Sequence, residues 1–243
     1  VFRWHVLLRS GGINIRLKDS MVITFTGLFA SNFLPTTIGG DVVRLAGAMQ
    51  MGFDRAVCLA SIAADRLIGM FGMSMTVPLG LVQSWSLLQT SLSFSLVAFF
   101  QRPFAFLKRT FSVFTIWLKK PTALLWSLFF TWIHMLCLFG SIYIFVDDLG
   151  SRTSFWMIAG LWSLTYFITL IPISINGYGL QELSFTFFMS NVAGLTPAVS
   201  LSVAVLLRAY SILASLPGAF FLPFILTVMT QHKKATTSTD ILL

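Results

Sequence analysis

TALLWSLFFTWIHMLCLFGSIYIFV, residues 122 to 146, runs for 25 residues without an aspartate, glutamate, lysine or arginine. A helix needs about 20 mostly apolar residues to cross a bilayer core, so this stretch is long enough to span one. Apolar runs of spanning length also occupy 56 to 82, 154 to 172 and 198 to 229, the first and last of them carrying isolated charges. Hydrophobic residues make up 56% of the chain and charged residues 10%, with a mean hydropathy of +0.86, far more apolar than an ordinary soluble domain. The runs are continuous rather than alternating, which predicts an all-α polytopic transmembrane bundle and not a membrane barrel. Residues 1 to 230 are expected to form one membrane domain, integral and multi-pass in the cell membrane. Residues 231 to 243 then form a polar, mobile tail.

Three other segments are less regular. The run 85 to 100 is short and rich in serine, so it spans only if its ends dip into the interface. Residues 21 to 34 and 183 to 193 are shorter still, a length that marks re-entrant or half-crossing segments. The net charge of +8 is distributed beside the spans: Arg3, Arg9, Arg16 and Lys18 before the first run, Arg102 to Lys120 in one loop, Lys233 and Lys234 in the tail. This is the positive-inside pattern, which puts those segments in the cytoplasm and Asp147 and Asp148 outside. It also argues against a nucleic-acid partner, which needs a solvated basic face with readers for bases. With 102 to 120 inside, 56 to 82 and 85 to 100 form an outward and return pair, and 36 to 55 lies inside. The run 21 to 34 must then enter and come back. On the same count 122 to 146 goes out, 154 to 172 returns, 183 to 193 contributes half a crossing or a tilted span, and 198 to 229 ends inside. Residues 101 to 120 read either as an interfacial helix on the inner leaflet or as a connecting loop.

One pattern of residue types occurs twice. FLPTTIGGDVVRLAG, 33 to 47, carries Pro35, Gly39, Gly40, Asp41 and Arg44; LIPISINGYGLQELS, 170 to 184, carries Pro172, Gly177, Gly179 and Glu182. Proline interrupts helical hydrogen bonding and glycine opens backbone conformations closed to other residues, so both read as broken or re-entrant helices. A helix that begins within the membrane presents free N–H groups and the positive end of its dipole, which attract anions, phosphate above all. Paired interruptions in two halves of a membrane protein point to a transport site. Single breaks are common in membrane helices, so the repetition carries the signal.

Isolated charges add to the constellation. Asp65 and Arg66 lie within 56 to 82, and Arg208 within 198 to 229. A charge near a helix centre costs about 2.5–3.5 kcal/mol on insertion scales, so it faces a cavity or a partner. Adjacent residues do not face each other on a helix, which sends Asp65 and Arg66 to different partners, with Arg208 and Glu182 as candidates. For Arg66 and Arg208 an ion-pair staple between helices competes with phosphate binding. Arg44 reads alternatively as a residue flanking the membrane. His134 has no acidic or histidine neighbour at helical spacing and reads as a packing residue, as do Cys58 and Cys137, whose spacing suggests neither metal nor redox chemistry. Asn32 and Asn176 read as residues that cap or orient the two breaks, with capping the default.

These segments, with VFRWHVLLRSGG at 1 to 12, ASIAADRLIGM at 60 to 70 and LLRAYSILASLPG at 206 to 218, together resemble the flippase-like integral membrane family that shares the transmembrane region of lysylphosphatidylglycerol synthases. The motifs that carry it are P-x-x-x-G-G-D-x-x-R, the Asp65 and Arg66 pair, and P-x-S-x-x-G-x-G-x-x-E from Pro172 to Glu182. The family usually places arginine immediately before that glutamate, where this chain has Gln181. Similar members begin with two further spans, so the resemblance implies that the chain lacks an N-terminal part. It further implies movement of a membrane phospholipid or lipid-linked substrate between leaflets, beside a lipid-modifying synthase or glycosyltransferase partner.

On this reading Arg44, Arg66 and Arg208 take the lipid phosphate, supported by N–H groups near Gly39, Gly40, Gly177 and Gly179. Asp41, Asp65 and Glu182 balance the arginines when the site is empty and favour a cationic group when it is filled. No catalytic residue, metal ligand or cofactor is expected. A membrane-embedded lipid-phosphate transferase and a non-catalytic scaffold for a synthase are the alternatives.

Overall fold

The computed structural model describes residues 1–34, 39–85, 120–171 and 174–223. Among these the regular structure is helical. A short helix, α1 (Phe2–Ser10), precedes α2 (Leu17–Ser31) and α3 (Gly39–Gln50). Then come α4 (Arg55–Ser74) and α5 (Val77–Gln83). After the segment 86–119 the chain continues with α6 (Pro121–Asp148), α7 (Phe155–Thr169), α8 (Leu180–Asn191) and α9 (Pro197–Ser215), which ends in a 3₁₀ turn, Leu216–Phe220.

Among the described residues three stretches are long and apolar enough to cross a membrane: Arg55–Gln83, Pro121–Asp148 and Pro197–Phe220. The first is broken at Met75 and Thr76. Pro78 in the first turn of α5 lacks the N–H that would continue α4, and the Thr76 hydroxyl meets the Ser163 hydroxyl of α7 at 2.5 Å. α6 turns Leu125, Phe129, Leu136 and Ile144 outward while Met135, Phe139, Ile142 and Val146 pack inside. Such an apolar exterior is expected where lipid is the solvent.

Two helical hairpins sit among the long helices. In the first, α2 and α3 touch backbone to backbone, since a Cβ on Gly40 would lie 2.5 Å from the Gly27 carbonyl oxygen. Small residues let membrane helices approach this closely. In the second, α7 and α8 are joined by a tip that reverses at Asn176, Gly177 and Gly179, all with positive φ (45°, 75° and 78°). The sequence reading has 154–172 crossing and 36–55 lying inside; the described parts of these ranges, α7 and α3, each form one arm of a hairpin. At 15 residues α7 extends only about 22 Å before the chain turns back. The run 21–34, read as re-entrant, lies largely in α2, which packs on α3.

The hairpins enter from opposite ends. The start of α4 shares one end with α1 and α6: Gly11 packs on Val57, and the Lys120 ammonium donates to the Ser10 carbonyl. The start of α9 belongs to the other end, where Leu195 and Val203 share a core with Val146 and Ile158. Its continuation reaches back to α2, with Gly218 against the backbone of Phe25. Thus α4 and α9 run antiparallel, each following its own hairpin. A second core, around Trp4, Leu8, Ile23, Ala48 and Cys58, holds the first half. Cys58 is a packing residue as expected, whereas Cys137 is exposed. The candidate span 85–100, the basic loop up to Lys119 and the tail 231–243 lie outside the described residues.

Candidate functional site

The hairpin tips meet in the middle of the bundle. Asn176 Nδ2 donates to Asn32 Oδ1 at 3.3 Å, and Asn32 Nδ2 donates to Ser215 Oγ at 2.9 Å. The two asparagine side chains therefore join the hairpins to each other and to α9, while Asn32 also stands at the C-cap of α2, as expected. Beside this junction lies a cavity of about 460 Å³. Arg3, Asp41, Arg44, Asp65, Arg66 and Arg208 line it, with Gly40 at the α2–α3 contact.

Asp65 is only 6% exposed and is gripped from two sides. Arg3 Nε donates to its Oδ1 at 2.5 Å, and Arg44 donates to Oδ2 from Nη1 at 3.1 Å and from Nη2 at 3.2 Å. Asp41, in the first turn of α3, accepts from Arg44 Nη1 at 3.1 Å and from Arg66 Nε at 2.7 Å. The result is a chain of alternating charge from α1 through α4 and α3. Adjacent positions on α4 thus reach different partners, as helix geometry requires. Those partners are not Arg208 and Glu182, which pair with each other at 2.7 Å.

Local structure explains these placements. The Arg44 guanidinium lies 4.3 Å from the Trp4 ring centroid, and the Trp4 indole N–H is anchored on the Ser61 hydroxyl at 3.0 Å. Arg44 is buried, so it does not flank the membrane. Arg208 lies 4.3 Å from the Tyr178 ring centroid and donates to the Asn176 carbonyl at 3.3 Å. Glu182 also accepts the Gly179 amide at 2.8 Å, closing the start of α8 upon itself. Gly39, Gly177, Gly179 and Glu182 are not among the cavity-lining residues. The glycines shape the tips: Gly177 and Gly179 supply left-handed conformations, and a Cβ on Gly39 would strike Leu34 at 2.4 Å. Gln181, where the resembling family usually has arginine, does face the cavity.

Two donors in this constellation, Arg44 Nε and Arg208 Nη2, are buried without an acceptor among the described residues. Buried donors normally find a partner, so arginines that leave donors over are suited to a ligand rich in acceptor oxygens. Arg3, His134, Thr131 and Tyr166 also line the cavity without having been expected there. Arg3 reads in sequence as a membrane-flanking charge, yet its side chain turns inward to Asp65 and Thr131. A signal was present: Arg3 precedes buried Trp4 and lies four residues before buried Leu7, on the inward face of α1.

The sequence matches the family described as the lysylphosphatidylglycerol synthase TM region over residues 1–218. No curated protein and no solved structure matches the chain. The long apolar helices and the family agree that this is an integral membrane protein. The chain belongs to the lysylphosphatidylglycerol synthase transmembrane-region family.

Proposed function

We propose that the protein moves the headgroup of a phospholipid or lipid-linked substrate between the leaflets of the cell membrane. The observation that carries this reading is the charged cavity at the meeting point of two hairpins that enter from opposite ends. A polar headgroup needs a continuous polar surface across the hydrocarbon, while its acyl tails stay in lipid. Arg44, Arg66 and Arg208 contact the lipid phosphate, with Asp41, Asp65 and Glu182 holding them in place between passages. The glycines at 39, 40, 177 and 179 keep the tips thin enough to form the passage. A synthase or glycosyltransferase acting on the same lipid would supply or consume it. On the positive-inside pattern the α2–α3 hairpin opens toward the cytoplasm and the α7–α8 hairpin toward the outside.

The test is a leaflet-accessibility assay in proteoliposomes with fluorescent phospholipids, comparing the protein with Arg66→Gln and Arg208→Gln. Movement should fall at least about tenfold in either variant, the loss expected when a charge-assisted contact worth about 1.5–3 kcal/mol is removed. Undiminished movement in well-folded variants would overturn the assignment.

A further inference from the structure

The same site, if it takes a lipid headgroup as proposed, also has a charge preference that can be read from its side chains. Among the described residues four guanidiniums line the cavity, Arg3, Arg44, Arg66 and Arg208, with two carboxylates, Asp41 and Asp65; a third carboxylate, Glu182, is outside the lining but pairs with Arg208. Each carboxylate already accepts from at least one arginine. His134 in its neutral form leaves the balance unchanged. The surplus charge has a definite location: Arg66 pairs with Asp41 and Arg208 with Glu182, while Arg3 and Arg44 share Asp65. Arg44 reaches Asp41 as well, but that carboxylate already has Arg66.

An uncompensated charge in a low-dielectric cavity is unfavourable and draws in a counter-charge. The donor left over on buried Arg44 points to the same kind of ligand, an anion with acceptor oxygens. We infer that the cavity selects a headgroup carrying one net negative charge, a phosphodiester without a compensating amine, and that Arg3 is the specificity-determining residue. The acids do not select a cationic group, because every one of them is engaged by arginine. A lysyl headgroup would bring positive charge into a site that already has a surplus.

The experiment is thermal unfolding of the purified protein in neutral detergent during titration with short-chain phosphatidylglycerol, phosphatidylcholine and lysylphosphatidylglycerol. Phosphatidylglycerol should half-saturate the stabilisation at a concentration about tenfold lower than either of the others, as befits one charge acting at short range. Arg3→Gln should abolish that preference, and Arg3→Lys should keep it. The double variant Arg3→Gln/Asp65→Asn returns the count to three against two, and should restore the preference even if the single variant is too unstable to measure. Equal response to phosphatidylglycerol and phosphatidylcholine in the unaltered protein, or a double variant without preference, would overturn the inference. A fourth arm uses tail-free glycerophosphoglycerol. If it binds as well as the lipid, the charge rule stands but its source is a soluble phosphodiester. Selective binding without lipid movement in proteoliposomes would sink the flippase reading and leave the charge rule intact.

Discussion

Arg66 and Arg208 stand at matching positions of two helices that run in opposite directions. Each lies twelve residues beyond its helix N-cap, Asp54 or Thr196. Each donates from Nε, at 2.7 Å, to the third residue in the returning arm of the preceding hairpin, Asp41 or Glu182. The N-caps match too, with Asp54 accepting from the Val57 amide and Thr196 from the Val199 amide. Hairpin, cap, long helix and arginine clasp therefore recur as an inverted pair, the architecture of membrane proteins that expose one site to two sides.

The clasp predicts non-additive behaviour. Removing one partner of a buried pair leaves an uncompensated charge at a cost of about 3–5 kcal/mol, whereas removing both leaves none. Arg208→Gln and Glu182→Gln should each lower the unfolding temperature, and the double variant should recover most of the loss. Lipid movement should stay low in all three. Transport that returns with stability in the double variant would show that the pair only staples the helices.

Close packing of α2 on α3 predicts intolerance at Gly40. A Cβ there would lie 2.5 Å from the Gly27 carbonyl oxygen, and neither backbone can yield without parting the hairpin. Gly40→Ala should cost about 1–3 kcal/mol, the usual range for overpacking. Gly140→Ala in α6, where no described residue lies within 4 Å of the new Cβ, should be neutral or slightly stabilising by thermal unfolding. Similar losses in both variants would mean that the hairpin is not packed this tightly.

A parallel case joins α5 to α7. A Cβ on Gly80 would lie 2.4 Å from the Gly160 carbonyl oxygen, and one on Gly160 would lie 2.5 Å from the Gly80 nitrogen. Gly160→Ala should therefore weaken the docking of the second hairpin on the first half. The readout is faster proteolytic cleavage near 150–154 in detergent; cleavage at the rate of the unaltered protein would contradict it.

The tip of the second hairpin separates backbone from side-chain effects. Asn176 has φ 45° and also bonds Asn32. Asn176→Gly keeps the turn and loses the bond, while Asn176→Ala loses the bond and adds a left-handed strain of about 1–2 kcal/mol. Alanine should be the less stable of the two in thermal unfolding. The reverse order would show that the turn is not held in this conformation.

The membrane class and the helical architecture were legible from run length alone, because 25 consecutive residues without a charged side chain leave water no place along them. So were the two interrupted segments, since proline and glycine act on the backbone locally. That Asp65 and Arg66 must find different partners also followed from helix geometry. Which partners they find did not. Arg3 reaches Asp65 across 62 residues of chain, and only the packing of Trp4 and Leu8 into the second core brings α1 to that point. Likewise α7 is apolar enough to read as a crossing, and only its contact with α8 and the meeting of Asn32 with Asn176 make it an arm. Hydropathy and helix breaks are properties of short segments and are written in them. The surplus charge, the cavity and the inverted pairing arise from side chains distant in sequence, which the folded bundle alone brings within hydrogen-bonding distance.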